Sequence, residues 1–197
     1  MTEEGGYYQS RRNETALKVQ QELNLDLKLV LFHAIKDDEE FAMALIEEHE
    51  SLGLPLGEVN EDNQTPLLWA CFMEKPKIVE AILKELVNQD IDISIKEQDG
   101  YGRTPFLLAC KNGWTTVVTE MLEKKETFEL DLNKKDKWEM TGFILACEEK
   151  RSEVVKILVD KAEDLKIDLQ AKDYRDRSGF DHFPEHFNNL NSDSDSD

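Results

Sequence analysis

Two sets of side chains in this 197-residue sequence have types and spacings that could support metal or redox chemistry. The first is His182-Phe183-Pro184-Glu185-His186, which has the His-x-x-Glu-His spacing by which one class of hydrolases binds zinc. Such a site needs both imidazoles on one helical face, a third protein ligand and a pocket that excludes water. Pro184 disrupts a helix unless it lies in the first turn. A zinc-dependent hydrolase using His182, Glu185 and His186 is therefore only an alternative, and we expect no catalytic residue, metal or cofactor.

The second set is Cys71, Cys110 and Cys147, which are 39 and 37 residues apart. Equivalent positions on neighbouring packed helices lie about 8–10 Å apart, whereas a disulfide needs Cα atoms within about 7 Å. No further Cys or His stands at ligand spacing from them. We expect buried, reduced thiols that act as small apolar side chains, with a metal or redox role as the alternative.

Each of these cysteines is the last residue of a seven-residue motif that occurs three times in the chain. The motif indicates which elements must position the cysteines. The three copies are Thr65-Pro66-Leu67-Leu68-Trp69-Ala70-Cys71, Thr104-Pro105-Phe106-Leu107-Leu108-Ala109-Cys110 and Thr141-Gly142-Phe143-Ile144-Leu145-Ala146-Cys147. A fixed period of a few tens of residues indicates stacked repeats, each too small to bury its apolar side alone.

A second apolar pattern begins eight residues after the alanine of each motif, with the i, i+3, i+4 spacing of a one-sided helix. Each unit therefore has two short helices. The residues expected to cap the first helix with a hydroxyl oxygen are Thr65, Thr104, Thr141 and Ser178. Polar segments rich in Gly, Asp and Asn precede these caps and predict a tight hairpin turn.

These residues resemble the ankyrin repeat, and the match is most specific from Asp99 to Ala109 and from Asn112 to Val118. The resemblance implies an all-α solenoid of hairpin, helix and helix, with about five units between residues 27 and 187. The expected units are a capping repeat at 27–61, repeats at 62–98, 99–135 and 136–172, and a terminal half-repeat at 173–187. Residues 1–26 are expected to be a polar, mobile segment, and residues 188–197 a disordered Ser/Asp tail.

The chain departs from the family pattern in two ways. Leu68, Leu107 and Ile144 replace the family's histidine, so we expect apolar contacts between repeats instead of Thr–His hydrogen bonds. The period of 36 to 39 residues exceeds the usual ~33, which predicts second helices about one turn longer. A helical-pair repeat of ~34 residues is the alternative, but it lacks the hairpin chemistry.

The net charge of −19 makes direct binding to nucleic acid improbable, because an acidic surface repels phosphate. It is compatible with a basic protein partner or simply with solubility. The sequence has no apolar run of eighteen residues and no apolar leader after Met1. We therefore expect no membrane association and a monomer in the cytoplasm or nucleus.

The resemblance implies a concave binding face built from hairpin tips and first helices. The expected partner-binding residues are Phe72, Met73, Tyr101, Trp138 and Tyr174. Aromatic and methionine side chains are enriched in interfaces, although these could instead be covered by neighbouring segments, and Trp114 fits packing equally well. The expected function is a protein-binding scaffold or adaptor, and the alternative is a regulatory subunit or inhibitor that occludes an enzyme.

Three residues fit modification patterns. Ser192 and Ser194 each have an aspartate three positions later, which resembles sites of acidophilic kinases. Asp131-Leu132-Asn133 resembles the hairpin site that asparagine hydroxylases modify in ankyrin repeats, with Asn133 as the candidate.

Overall fold

The computed structural model describes residues 27–89 and 97–187, and the chain divides into two compact units, 1–94 and 95–197. Within the described ranges the regular elements are helices, with one isolated β-bridge between Lys172 and Ser178. The first unit contains α1 (Leu27–Asp37), α2 (Glu39–Glu47), α3 (Pro66–Phe72) and α4 (Pro76–Gln89). The second contains α5 (Pro105–Asn112), α6 (Thr115–Glu123), α7 (Gly142–Glu148), α8 (Ser152–Asp160), α9 (Ala162–Leu165) and α10 (Gly179–His182).

In the first unit two helical pairs, α1 with α2 and α3 with α4, pack side by side. The first helices α1 and α3 contact one another, and so do the second helices α2 and α4. Asp38 caps the start of α2, with its carboxylate accepting the Phe41 N–H at 3.0 Å. Fully buried side chains fill the space between the pairs, including Leu31, Ile35, Ile46 and Leu67.

The second unit repeats this arrangement. The first helices α5, α7 and α10 contact one another in chain order, and the second helices α6 and α8 pack together behind them. Gly179 permits the close approach of α10, because a Cβ there would lie 2.4 Å from Cε1 of Phe143. The predicted all-α repeat architecture is confirmed, and Leu68, Leu107 and Ile144 are completely buried where the family has a histidine.

The predicted threonine caps are confirmed. The hydroxyl oxygens of Thr65, Thr104 and Thr141 accept the N–H three residues later, at 3.3, 3.3 and 3.4 Å respectively. At Ser178 a carboxylate takes part, since Asp181 accepts both the backbone N–H, at 2.8 Å, and the hydroxyl of Ser178, at 2.7 Å. These bonds satisfy groups that would be orphaned at a helix start.

The prediction that every second helix is about one turn longer is wrong for α6 and α8. Helix α4 has 14 residues, but α6 and α8 have nine each. After α6 the chain forms turns, because Phe128 and Leu130 fold back into the core and Glu129 takes a positive φ of 47°. After α8 the extra residues form α9, which is followed by Lys166 in a left-handed conformation with φ 57°. Local burial of apolar side chains thus overrode simple helix extension.

Cys71, Cys110 and Cys147 are free and buried, as predicted. Burial raises the pKa of all three thiols above the ordinary value, to about 12 for Cys147. Because the thiolate is the reactive form, these cysteines are poor nucleophiles. They act as small apolar side chains under the helices.

None of the helices in residues 27–89 and 97–187 is long and apolar enough to cross a membrane.

Candidate functional site

Three hairpins of the second unit, at residues 99–103, 136–140 and 173–177, share one pattern of bonds. In each, one oxygen of a buried aspartate accepts the backbone N–H groups two and four residues later. For Asp136 these distances are 2.8 Å to Trp138 and 3.0 Å to Met140. The side chain therefore replaces the backbone partners that a tight turn lacks.

The hairpins are joined edge to edge by backbone bonds. The Lys137 N–H donates to the Tyr101 carbonyl at 3.0 Å, and the Tyr174 N–H donates to the Trp138 carbonyl at 3.1 Å. The Lys137 ammonium adds a bond of 2.6 Å to the Gly100 carbonyl. These contacts fix Tyr101, Trp138 and Tyr174 on successive tips of one row.

All three aromatic side chains on this row are exposed, by 51% for Tyr101, 40% for Trp138 and 54% for Tyr174. The rings of Tyr101 and Trp138 stack with centroids 5.4 Å apart and an interplanar angle of 27°. Neighbouring hairpins thus hold two large rings in place without burying them. We call Tyr101, Trp138 and Tyr174 the aromatic row.

A cavity of about 380 Å³ lies beside this row, between the hairpin tips and the first helices. Trp138, Tyr174, Asp136 and Met140 line it from the hairpins, and Glu148 and Glu149 line it from the end of α7. Its walls combine aromatic, apolar and acidic side chains with four basic ones, which are Arg103, Lys111, Arg175 and Arg177.

Ion pairs close the outer two hairpins. In residues 99–103, Nη2 of Arg103 lies 2.7 Å from Oδ2 of Asp99, with only 3% of the Asp99 side chain exposed. In residues 173–177, Nη2 of Arg177 lies 2.8 Å from Oδ2 of Asp173, which has no exposed side-chain surface. Burial would raise the pKa of Asp173, but the N–H groups of Arg177 and Arg175 and its side-chain partners outweigh this and hold that pKa below 3.8.

The middle hairpin differs. Position 140 is methionine where the outer hairpins have arginine. Asp136 is 6% exposed, and its Oδ2 is buried without a hydrogen-bond partner among the residues that the structure describes.

The remaining two predicted binding residues, Phe72 and Met73, belong to the first unit. Phe72 is 46% exposed and stacks on Trp69 with centroids 5.6 Å apart, whereas Met73 is partly buried. Trp69 acts in packing, since its indole N–H donates to the Phe32 carbonyl at 3.1 Å. Trp114 is also partly buried.

The side chains of the zinc-type motif have other partners. Nε2 of His182 lies 3.0 Å from Oδ2 of Asp173, and Glu185 accepts a bond of 2.6 Å from Lys150. The His186 ring stacks on Phe183 with centroids 4.9 Å apart. Within the described ranges no group of three or more His, Cys, Asp or Glu side chains could hold a metal ion.

Of the modification candidates, only Asn133 is described. Its amide joins two repeats, donating to the Lys166 carbonyl at 2.9 Å and accepting the Asp168 N–H at 2.8 Å. Ser192 and Ser194 lie outside the described residues.

Sequence reasoning missed the buried aspartates as a set. Asp99, Asp136 and Asp173 are 37 residues apart, and the residue four positions after each is Arg103, Met140 or Arg177. This spacing could have revealed both the repeated turn and the departure from it at Met140.

Comparison with known protein families agrees with this architecture. A family model described as ankyrin repeats in three copies matches residues 81–173. No curated protein sequence gives a significant match. The matched range includes two of the three aspartate hairpins in full and the beginning of the last. Residues 81–173 therefore consist of ankyrin repeats.

Proposed function

We propose that this protein is an adaptor that binds a partner protein through the hairpin tips and first helices of residues 99–187. Ankyrin repeats generally bind other proteins. The observation that carries the proposal here is the exposed stack of Tyr101 on Trp138, held by hairpin backbone bonds.

Exposed rings of this kind favour binding for an energetic reason. Tyrosine and tryptophan bury a large apolar area on contact, and rings already fixed by stacking lose little conformational freedom when they bind. Such residues are the ones most often found as binding hot spots. Tyr174 extends the aromatic row, and the cavity beside it offers a place for a partner side chain.

Phe72 and Met73 support a second, smaller patch on the first unit. Phe72 is exposed although it stacks on Trp69, so its outer face is available for contact. We treat this patch as separate from the aromatic row.

Charge favours a basic partner. With 43 acidic and 24 basic residues, the chain attracts cationic surfaces over the screening distance of about 8 Å at physiological salt. This attraction accelerates encounter, whereas the aromatic contacts stabilise the complex.

A scaffold role also agrees with the pairing of His182 and Glu185 with Asp173 and Lys150. These bonds tie the His182 and Glu185 side chains into the packing of the terminal repeat. Ankyrin-repeat proteins are generally non-enzymatic, and we propose that this one is no exception.

Affinity purification with mass spectrometry tests the proposal, using wild type and the Tyr101→Ala/Trp138→Ala double variant. We expect the double variant to keep its circular dichroism spectrum and to lose the partners that wild type captures. Thr116→Ala/Lys156→Ala is the matched control, because both residues are exposed on the second helices. Capture of the same partners by the folded double variant would refute the proposal.

A further inference from the structure

We propose that the cavity beside Asp136 receives an arginine side chain from the partner protein, an inference that rests on the proposed function. The observation behind it is a buried carboxylate oxygen, Oδ2 of Asp136, without a hydrogen-bond partner in the described ranges. A buried charge of this kind is costly unless a cation or a donor compensates it.

The chain itself shows which group satisfies this oxygen. In hairpin 99–103, Nε and Nη2 of Arg103 both reach Oδ2 of Asp99, at 2.8 and 2.7 Å. In hairpin 173–177, the same two nitrogens of Arg177 reach Oδ2 of Asp173, at 3.1 and 2.8 Å. A guanidinium therefore occupies the equivalent position in both neighbouring repeats.

The middle hairpin keeps the acceptor and lacks the donor. Its Oδ1 already accepts two backbone N–H groups, so the carboxylate is fixed in the same orientation as its neighbours. Met140 replaces the arginine, and both Asp136 and Met140 line the cavity. An arginine from the partner protein would supply the guanidinium donor that this hairpin lacks.

Aromatic rings beside the cavity favour a guanidinium over an ammonium ion. Cζ of Arg103 lies 4.8 Å from the ring centroid of Tyr101, two residues after Asp99. Trp138 holds the equivalent position after Asp136, and tryptophan is the strongest cation–π partner. Planar guanidinium groups stack on such rings and donate to a carboxylate at the same time.

The cations already on the cavity wall have partners of their own. Arg103 and Arg177 pair with their own aspartates, Lys111 lies 3.8 Å from Glu149, and Arg175 stacks on Tyr174 with Cζ 5.0 Å from the ring centroid. Glu148, which is exposed, adds a further carboxylate to the cavity wall. Since the four cations on the wall have these partners, the carboxylates of Asp136 and Glu148 favour an incoming cation.

Titration of the ¹⁵N-labelled full-length protein with N-acetyl-arginine amide tests the site directly. The indole N–H resonance of Trp138, assigned with Trp138→Phe, is the readout. We expect saturable shifts in the millimolar range, as suits a single side chain. The neutral isostere N-acetyl-citrulline amide is the control ligand, and we expect at least tenfold weaker binding from it.

Two variants remove the site while keeping the hairpin. Asp136→Asn retains the oxygen that accepts the turn bonds, as Asn60 does in the first unit, where it accepts from Asp62 at 3.0 Å and Gln64 at 2.9 Å. Met140→Arg supplies the cation from within the chain, as Arg103 and Arg177 do. We expect both variants to abolish the shifts. The matched control Glu139→Gln neutralises an exposed carboxylate of the same hairpin that does not line the cavity, and it should retain them.

Three results would each overturn the inference: no saturable shift with the arginine probe, equal shifts with the citrulline probe, or unchanged binding in folded Asp136→Asn and Met140→Arg. The outcome is separate from the test of the aromatic row. If partner capture is lost in Tyr101→Ala/Trp138→Ala but unaffected by Asp136→Asn and Met140→Arg, the adaptor proposal stands and the arginine site does not.

Discussion

Hairpins 99–103 and 136–140 make the same backbone bonds from different side chains. The first has glycine at its left-handed position, Gly102 with φ 79°, and closes its aspartate with Arg103. The second has Glu139 at φ 61° and Met140 in place of the arginine. One hairpin satisfies its buried charge internally, and the other leaves an acceptor beside a cavity.

The difference separates stability from recognition. Shared features of the repeats, the caps, the aspartate and the buried leucines, build the scaffold. Recognition is expected where one repeat departs from its neighbours, because a missing internal partner leaves a group available to another molecule. Substitutions in one hairpin at a time test this separation.

Asp173→Ala should give the largest effect. The change removes two backbone bonds and leaves Arg177 and His182 without their shared carboxylate. Breaking a buried ion pair typically costs ~3–5 kcal/mol, and we expect a loss of this order in the free energy of unfolding. Urea denaturation measures it, and a loss below that of Asp136→Ala would contradict the comparison.

The same aspartate should make the fold acid-sensitive. Its pKa is held below 3.8 in the folded state, so its stabilising effect is complete above the unfolded pKa and is lost as the pH falls towards the folded value. The stability difference between wild type and Asp173→Asn should therefore shrink below about pH 4. Urea unfolding at pH 7, 5 and 3 measures it, and a difference independent of pH would argue against an ionised Asp173.

Asp136→Ala should cost less, about 1–3 kcal/mol, because it removes turn bonds but no ion pair. Asp136→Asn should cost clearly less than the alanine change, since an amide oxygen can accept the same two N–H groups. Thermal unfolding of the two variants in parallel checks this ranking. Equal losses would mean that the buried charge, and not the turn bonds, supports the hairpin.

Glu139→Gly should have the smallest effect and the opposite sign. A left-handed conformation disfavours residues with a Cβ, so glycine should raise the free energy of unfolding by about 0.5–1 kcal/mol. The exposed Lys135–Glu139 pair at 3.2 Å contributes little. Gly102→Ala, the reverse change in hairpin 99–103, should lower the free energy of unfolding. If both changes raised it, the two hairpins would not be equivalent at this position.

Much of this architecture could be predicted from the sequence, because each repeat contains the same local signals for helix starts and buried faces. Thr104 and Pro105 mark a helix start through bonds that span three residues, and the apolar spacing of Val117, Val118 and Met121 identifies the buried side. Interactions between residues this close together in the chain can be predicted from the sequence alone.

The rest depended on packing between distant residues. The extra residues after α6 form turns because the Phe128 side chain is buried in the core. No local propensity predicts this burial. The unpartnered oxygen of Asp136 likewise depends on burial, which arises only in the folded chain. The repeat register, with arginine after Asp99 and Asp173 but methionine after Asp136, was the signal that could have found it.

Site-specific photocrosslinking tests the central claim, that the hairpin tips of residues 99–187 are the partner-binding face. A benzophenone amino acid placed at Tyr101 is compared with the same group at Lys156, an exposed position on α8. We predict a discrete protein adduct from position 101 that excess wild-type protein suppresses, and none from position 156. Adducts of equal yield from both positions, or from position 156 alone, would contradict the account.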